Sequence, residues 1–352
     1  MRARPGRPLR SALICGGVVL FGLALPTACG GKKKPREAPS PEVTGLAAVP
    51  ATAQVLIGVD VGKLAGSPIV ERAVEQLLLR DPQLAASWAH VRDGCALDLP
   101  RQVKHVMLAL GPPGQGAVGT GPVLMVATGT LAEPDLAACL RTLVGKGGGA
   151  LTAKTVVGRS IYQVRDGNRT MHFAFSRPDT VVLGTSEAWV TEALGTGPKV
   201  PSSAEITGWL ALTDQTAPVW AVGRVDDRVR TGLVGASGGK LTAGPRAIAF
   251  TLDPTTGAKV DLGAVMDTPA DAKQLESFAQ GELKVVGMVA QMKSLGAIVA
   301  KLTVAADGRV VRFRAALTLD EVNQLLSVLD EKPAATQVTP PTDGSGSDTS
   351  SK

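Results

Sequence analysis

The chain is poor in aromatic side chains, which make up 3% of its 352 residues and include a single tyrosine. Proteins that hold single-stranded nucleic acid stack bases on aromatic platforms along a basic groove. This composition has few such platforms, and nucleic acid is not an expected partner. Histidine is scarcer still. His90, His105 and His172 are the only three, and none has a second His or Cys at ligand spacing, so no metal centre is expected. After the first 25 residues there is no run of 18 apolar residues, so nothing later in the chain spans a bilayer as a helix.

A surplus of positive charge is present but misleading. The formal net charge is +6, from 37 Lys and Arg against 31 Asp and Glu. Four of the bases, Arg2, Arg4, Arg7 and Arg10, stand at the N-terminus, leaving 33 against 31. Lys32, Lys33, Lys34 and Arg36, set against Glu37 and Glu42, account for the rest, so the chain after Glu42 carries 29 of each sign. A neutral body has no net attraction for a polyanion.

The motifs that would carry catalysis fail on context. Gly114-Gln-Gly116-Ala-Val-Gly119 has the spacing of a dinucleotide loop, but that loop must open a helix whose N-terminus faces the pyrophosphate. Here Pro122-Val-Leu-Met-Val-Ala follows, which reads as a strand, so a hairpin loop is expected. Gly235-Ala-Ser237-Gly-Gly239 has the spacing of a nucleophile elbow, which needs a strand before it, a helix after it and a later histidine. All three histidines precede Ser237. Asp226-Asp227 reads as the start of a turn or helix. Trp88, Trp189, Trp209 and Trp220, and the helically spaced Met288 and Met292, read as core. No catalytic residue, cofactor site or metal site is expected, and the chain is read as not an enzyme.

The N-terminus is informative. The four arginines precede Ala12 to Leu25, a 14-residue apolar or small segment. A span needs about 20 apolar residues, whereas a signal peptide needs fewer, so the segment reads as an export leader. The arginines are not adjacent, which excludes a twin-arginine signal. Leu25-Pro-Thr-Ala-Cys29-Gly30 then resembles the lipobox of bacterial lipoproteins, with small residues on both sides of the cysteine. Pro26 departs from it, since leucine usually stands three places before the cysteine. The resemblance implies cleavage after Ala28, acylation of Cys29, and, from Gly30 rather than Asp, an outer-membrane location facing the periplasm. An ordinary secretory leader beside a free cysteine is the alternative. Lys32, Lys33, Lys34 and Arg36 would then lie against anionic headgroups.

Export changes the reading of the two remaining cysteines. A single pair in an oxidising compartment, Cys95 and Cys139, reads as a disulfide, with two buried thiols as the alternative.

Five segments are expected: signal peptide 1–28, lipid-anchored flexible linker 29–49, a first α+β repeat 50–200, a second 201–331, and a disordered tail 332–352 rich in Pro, Thr, Ser, Gly and Asp. Gln54–Val61 alternates as a strand. Ser67-Pro68 opens a helix with Ile69, Val70, Ala73, Leu77 and Leu78 inward, and Asp81-Pro82 opens a second that ends near Gly94. Strands 103–110 and 123–128, a helix 134–143 holding Cys139, four strands between 152 and 184, and a helix capped by Ser186 follow. From Ala217 the order recurs, with strands 246–252, 257–266, 297–305 and 309–316, a helix from Pro269 to about Met292, broken near Gly281, and a last helix opened by the capping box Thr318/Glu321. Both halves read strand, helix, two strands, helix, paired strands, helix. The expected fold is α+β: a duplicated unit of antiparallel sheet with helices packed on one face.

The opening Val49-Pro-x-x-Ala53-x-Val55-x-x-x-Val59-Asp60 is similar to that of bacterial lipoproteins of the DUF3352 kind, a group that implies no activity. The function expected is an exported, membrane-anchored interaction or structural module with a protein partner. The alternative is a carrier of lipid-like ligands in an apolar cavity.

Overall fold

The computed structural model describes residues 45–330, apart from residues 96, 114–120, 147, 157, 168 and 293. The leader, Cys29, the tail and Gly114–Gly119 lie outside the described residues.

Val55–Asp60 forms β1, followed by α1 (Val61–Leu64), α2 (Pro68–Arg80), α3 (Pro82–Gly94) and α4 (Leu99–Gln102). Next come β2 (Val103–Leu110), β3 (Val123–Gly129), α5 (Glu133–Lys146), β4 (Ala150–Val156), β5 (Arg159–Asp166), β6 (Arg169–Arg177) and β7 (Thr180–Gly184). Two helices lead out of the first half, α6 (Glu187–Leu194) and α7 (Ala204–Leu210). The second half has β8 (Val219–Arg224), α8 (Asp227–Ala236), β9 (Ala247–Asp253), β10 (Gly257–Val265), α9 (Pro269–Met292), α10 (Gly296–Val299), β11 (Thr303–Asp307), β12 (Val310–Thr318) and α11 (Leu319–Asp330).

Local signals act as the residue types dictate. The Ser67 and Ser186 hydroxyls accept from Val70 N and Trp189 N at 3.4 Å and open α2 and α6. Glu321 accepts from Thr318 N at 2.8 Å while Thr318 Oγ1 accepts from Glu321 N at 3.3 Å, closing the capping box of α11. Gly308, at φ 54°, turns β11 into β12.

The fold is α+β, with a large antiparallel sheet. Its strand order is β11-β12-β10-β9-β8-β1-β2-β3-β7-β6-β5-β4, and neighbouring strands pair antiparallel. The halves meet at β1 and β8, where Gly58 stands opposite Trp220. Outward from that seam the order is strand, strand, strand, then the last strand of the half: β1-β2-β3-β7 on one side and β8-β9-β10-β12 on the other. The hairpin β4–β5 has no counterpart in the second half.

Helices cover both faces of the first half, where packing on one face was expected. In β6, Ala174 faces Trp189 and Val190 of α6, while Phe173 and Phe175 face Leu136 and Leu140 of α5. The five residues 172–176 are all buried, which a sheet covered on one side does not allow. In the second half Val311 and Phe313 pack with Ala272, Leu275 and Phe278 of α9. Arg312 and Arg314 point the other way and pair with Asp261.

Other departures are local. Ala48 and Val49, placed in the flexible linker, are fully buried, and Val200 N donates to Val49 O at 3.0 Å. Residues 297–299, expected as the start of a strand, lie in the helical turn α10, because an Ala-Ile-Val run has no period of its own. Helix α9 runs through Gly281 unbroken.

Candidate functional site

Two surfaces remain after the core is assigned. One is a groove of about 750 Å³ in the second half of the sheet, on the face opposite α9 and beyond the part that α7 covers. Thr251 and Asp253 of β9, Lys259 and Asp261 of β10, Arg314 of β12 and Lys63 of α1 line it. Alternation sends these polar side chains to the face opposite α9. Most of the charges are already matched. Arg314 Nε lies 2.9 Å from Asp261 Oδ2, Lys63 Nζ donates to Thr216 O at 2.6 Å, and Lys301 pairs with Glu321 at 2.6 Å. Asp253 accepts from Thr255 Oγ1 at 2.6 Å and from its N at 3.1 Å, which holds its pKa below the ordinary carboxylate value. Asp214 is lowered in the same way by Thr216. The groove is a self-neutralised surface with no strong field of one sign.

The other surface is apolar and helical. In α2 and α3, Val74, Leu77, Leu79, Leu84 and Trp88 are exposed. In the second half of α9, Leu283, Gly287 and Ala290 turn inward, leaving Val285, Val286, Met288, Val289 and Met292 outward, with Met292 80% exposed. This half-helix is apolar nearly all round, a pattern that belongs to a covered helix.

Among the described residues, no three His, Cys, Asp or Glu side chains converge as metal ligands. Ser237, in the elbow-like motif, caps the end of α8. Its hydroxyl donates to Val234 O at 2.7 Å and accepts from Leu241 N at 3.0 Å. Its segment starts at a helix end instead of lying in an open loop. Asp226 is the N-cap of α8 and accepts from Arg228 N at 2.8 Å. His105 is exposed on β2, 3.8 Å from Asp60. His172 is buried on β6, and burial lowers its pKa against the opposing effect of Glu187, 4.0 Å away. No nucleophile is paired with a base among these groups.

Cys95 and Cys139 are joined by a disulfide, with Cα atoms 5.0 Å apart, and the bond ties the end of α3 to α5. Trp189, Trp209 and Trp220 are core residues. Trp88, Leu77, Met288 and Met292, all expected inside, are exposed, because the described elements cover them only in part. A signal for α9 was present in the run Val285–Met292, which lacks the polar stripe of an ordinary surface helix. No helix among the described residues is long and apolar enough to cross a membrane.

No family model matches the chain, and no curated protein matches it. Among solved structures, crystal form III of TP0453 is similar with a TM-score of 0.47 and 12% identity over 82% of this chain and 99% of that one. Crystal form I of TP0453 is similar with a TM-score of 0.44 and 9% identity, over 83% and 98%.

Proposed function

We propose that this protein is an exported lipoprotein, held at the outer membrane by an acylated Cys29, whose body is a non-catalytic module for binding another protein. The observation that carries the reading is the exposed apolar face of the second half of α9. Single exposed apolar residues are ordinary, but five on one helical face are costly to leave in water unless a partner covers them. The basic cluster behind Cys29 and the neutral body agree with a membrane-attached tether and a surface recognised by shape more than by charge. The carrier alternative has a weaker footing. The recess beside Trp88, Leu97, Leu99 and Pro100, of about 500 Å³, is set between α3 and α4 and not under the sheet.

Anchor and module are tested apart. Labelled palmitate on the wild type but not on Cys29→Ser, with globomycin-sensitive processing, supports the anchor; a processed, unlabelled chain refutes it. Pull-down from membranes should recover a stoichiometric protein with the wild type and lose it with Met288→Lys/Val289→Lys. Native mass spectrometry that finds a bound lipid and no protein would replace the module by the carrier.

A further inference from the structure

The disulfide has a second consequence. Of the side chains described between Pro68 and Cys95, Cys95 alone is buried. None of the three apolar clusters of the body contains a residue from 61–95. The α2–α3 hairpin therefore adds almost nothing to the core. At its start Ser67 Oγ donates to Pro254 O at 2.8 Å, and Arg72 Nη1 donates to Asn323 of α11 at 3.0 Å. At its end it is held covalently, by Cys95–Cys139. Helix α5 on the far side of the bond is anchored independently, through Leu136 and Leu140 against the sheet. Helices of 13 residues whose described side chains are at most half-buried are marginal in water.

We propose that Cys95–Cys139 is a redox latch: the bond holds the α2–α3 hairpin against the body, and its reduction by a dithiol releases the hairpin while the sheet stays folded. Cys95 lines the 500 Å³ recess between α3 and α4, and Cys139 does not. A thiolate of the dithiol enters there and attacks Cys95 Sγ. The bond to Cys139 breaks, and Cys139 leaves as a thiolate that takes a proton. The second thiol of the dithiol then displaces Cys95 from the mixed disulfide. The protein gains two thiols and the dithiol becomes a disulfide, so two electrons pass. In the released state the inner residues Ile69, Val70 and Leu78 become accessible beside those already exposed, and the apolar surface grows. An oxidising compartment keeps the latch closed.

The test is hydrogen exchange on the processed full chain in detergent, oxidised and after dithiothreitol with alkylation of the freed thiols. Amides of residues 69–94 should exchange at least tenfold faster after reduction, while those of β2, β3 and β6 keep their rates. Cys139→Ser should show the fast hairpin without reductant and no response to it. If that variant does not fold, the alkylated wild type stands in for it. Unchanged hairpin exchange overturns the proposal, as does a bond that dithiothreitol cannot reduce in the folded protein. A rise in the sheet and α5 together with the hairpin overturns it too, because the bond would then be a staple of the whole fold.

Discussion

Gly58→Ala tests how the two halves of the sheet are joined. A Cβ built on Gly58 lies 2.2 Å from Trp220 Cε2 and 2.4 Å from its Nε1, well inside the roughly 3.5 Å at which carbon atoms meet. The indole lies flat over the glycine across the β1–β8 seam and is buried with Leu56 and Val222. For the methyl group to fit, the ring or the strand must move by more than 1 Å, roughly, in a close-packed core. Overpacking of this kind costs about 1–3 kcal/mol, and the displaced indole loses part of the 3–5 kcal/mol that deletion of a buried Trp removes. We expect Gly58→Ala to destabilise by about 3 kcal/mol and Trp220→Ala by about 4 kcal/mol. The double variant should fall at least ~2 kcal/mol short of their sum, because the alanine then sits in the space the indole vacated. Urea denaturation followed by far-UV circular dichroism measures all three without relying on the tryptophan signal. A Gly58→Ala change below about 0.5 kcal/mol, or additive energies, would refute the seam as described.

Three further outcomes follow. Arg312 donates to Asp261 Oδ1 at 3.0 Å and, through both terminal nitrogens, to Leu212 O at 3.3 Å; Arg312→Ala should cost about 1–2 kcal/mol by urea denaturation, and Lys should not restore it because it lacks the planar fork. His172 has its pKa lowered from 6.5 by burial, so the unfolded chain binds the extra proton first. Its contribution is intact above pH 6.5, is lost as pH falls through the lowered folded value, and is flat below that; thermal melts at stepped pH should show the decline, and His172→Gln should flatten it. Met288→Lys/Val289→Lys, on the outer side of α9, should change stability by less than about 1 kcal/mol while abolishing partner capture; loss of folding would show that the surface is structural.

Much of the fold was legible locally. Caps at Ser67, Ser186 and Thr318 and the turn at Gly308 depend on a few adjacent residues, and they form where those residues stand. Alternation located most of the strands, since a period of two is a property of the segment itself. The exceptions are less well marked: α7 has a cap, Ser203, but is too short to show a clear period, and residues 296–299 are equally compatible with strand and helix. Of the proposed functional features, the cysteine pair was legible because the chain after residue 49 holds two cysteines. The apolar surface was misread, because Leu77, Trp88 and Met288 were assigned to a core from residue type and helical spacing.

By itself the sequence determined the α+β class, most of the hairpins and helix starts, the neutral body and the presence of two cysteines, Cys95 and Cys139, within it. These rest on short-range chemistry or on counting. The tertiary structure alone decided that two halves share one sheet through β1 and β8, that helices pack on both faces of the first half and leave one face of β10 and β12 open in the second, and which apolar side chains lie uncovered. Those outcomes depend on which distant segment packs over a residue, and an apolar side chain has the same local pattern whether its cover is present or not.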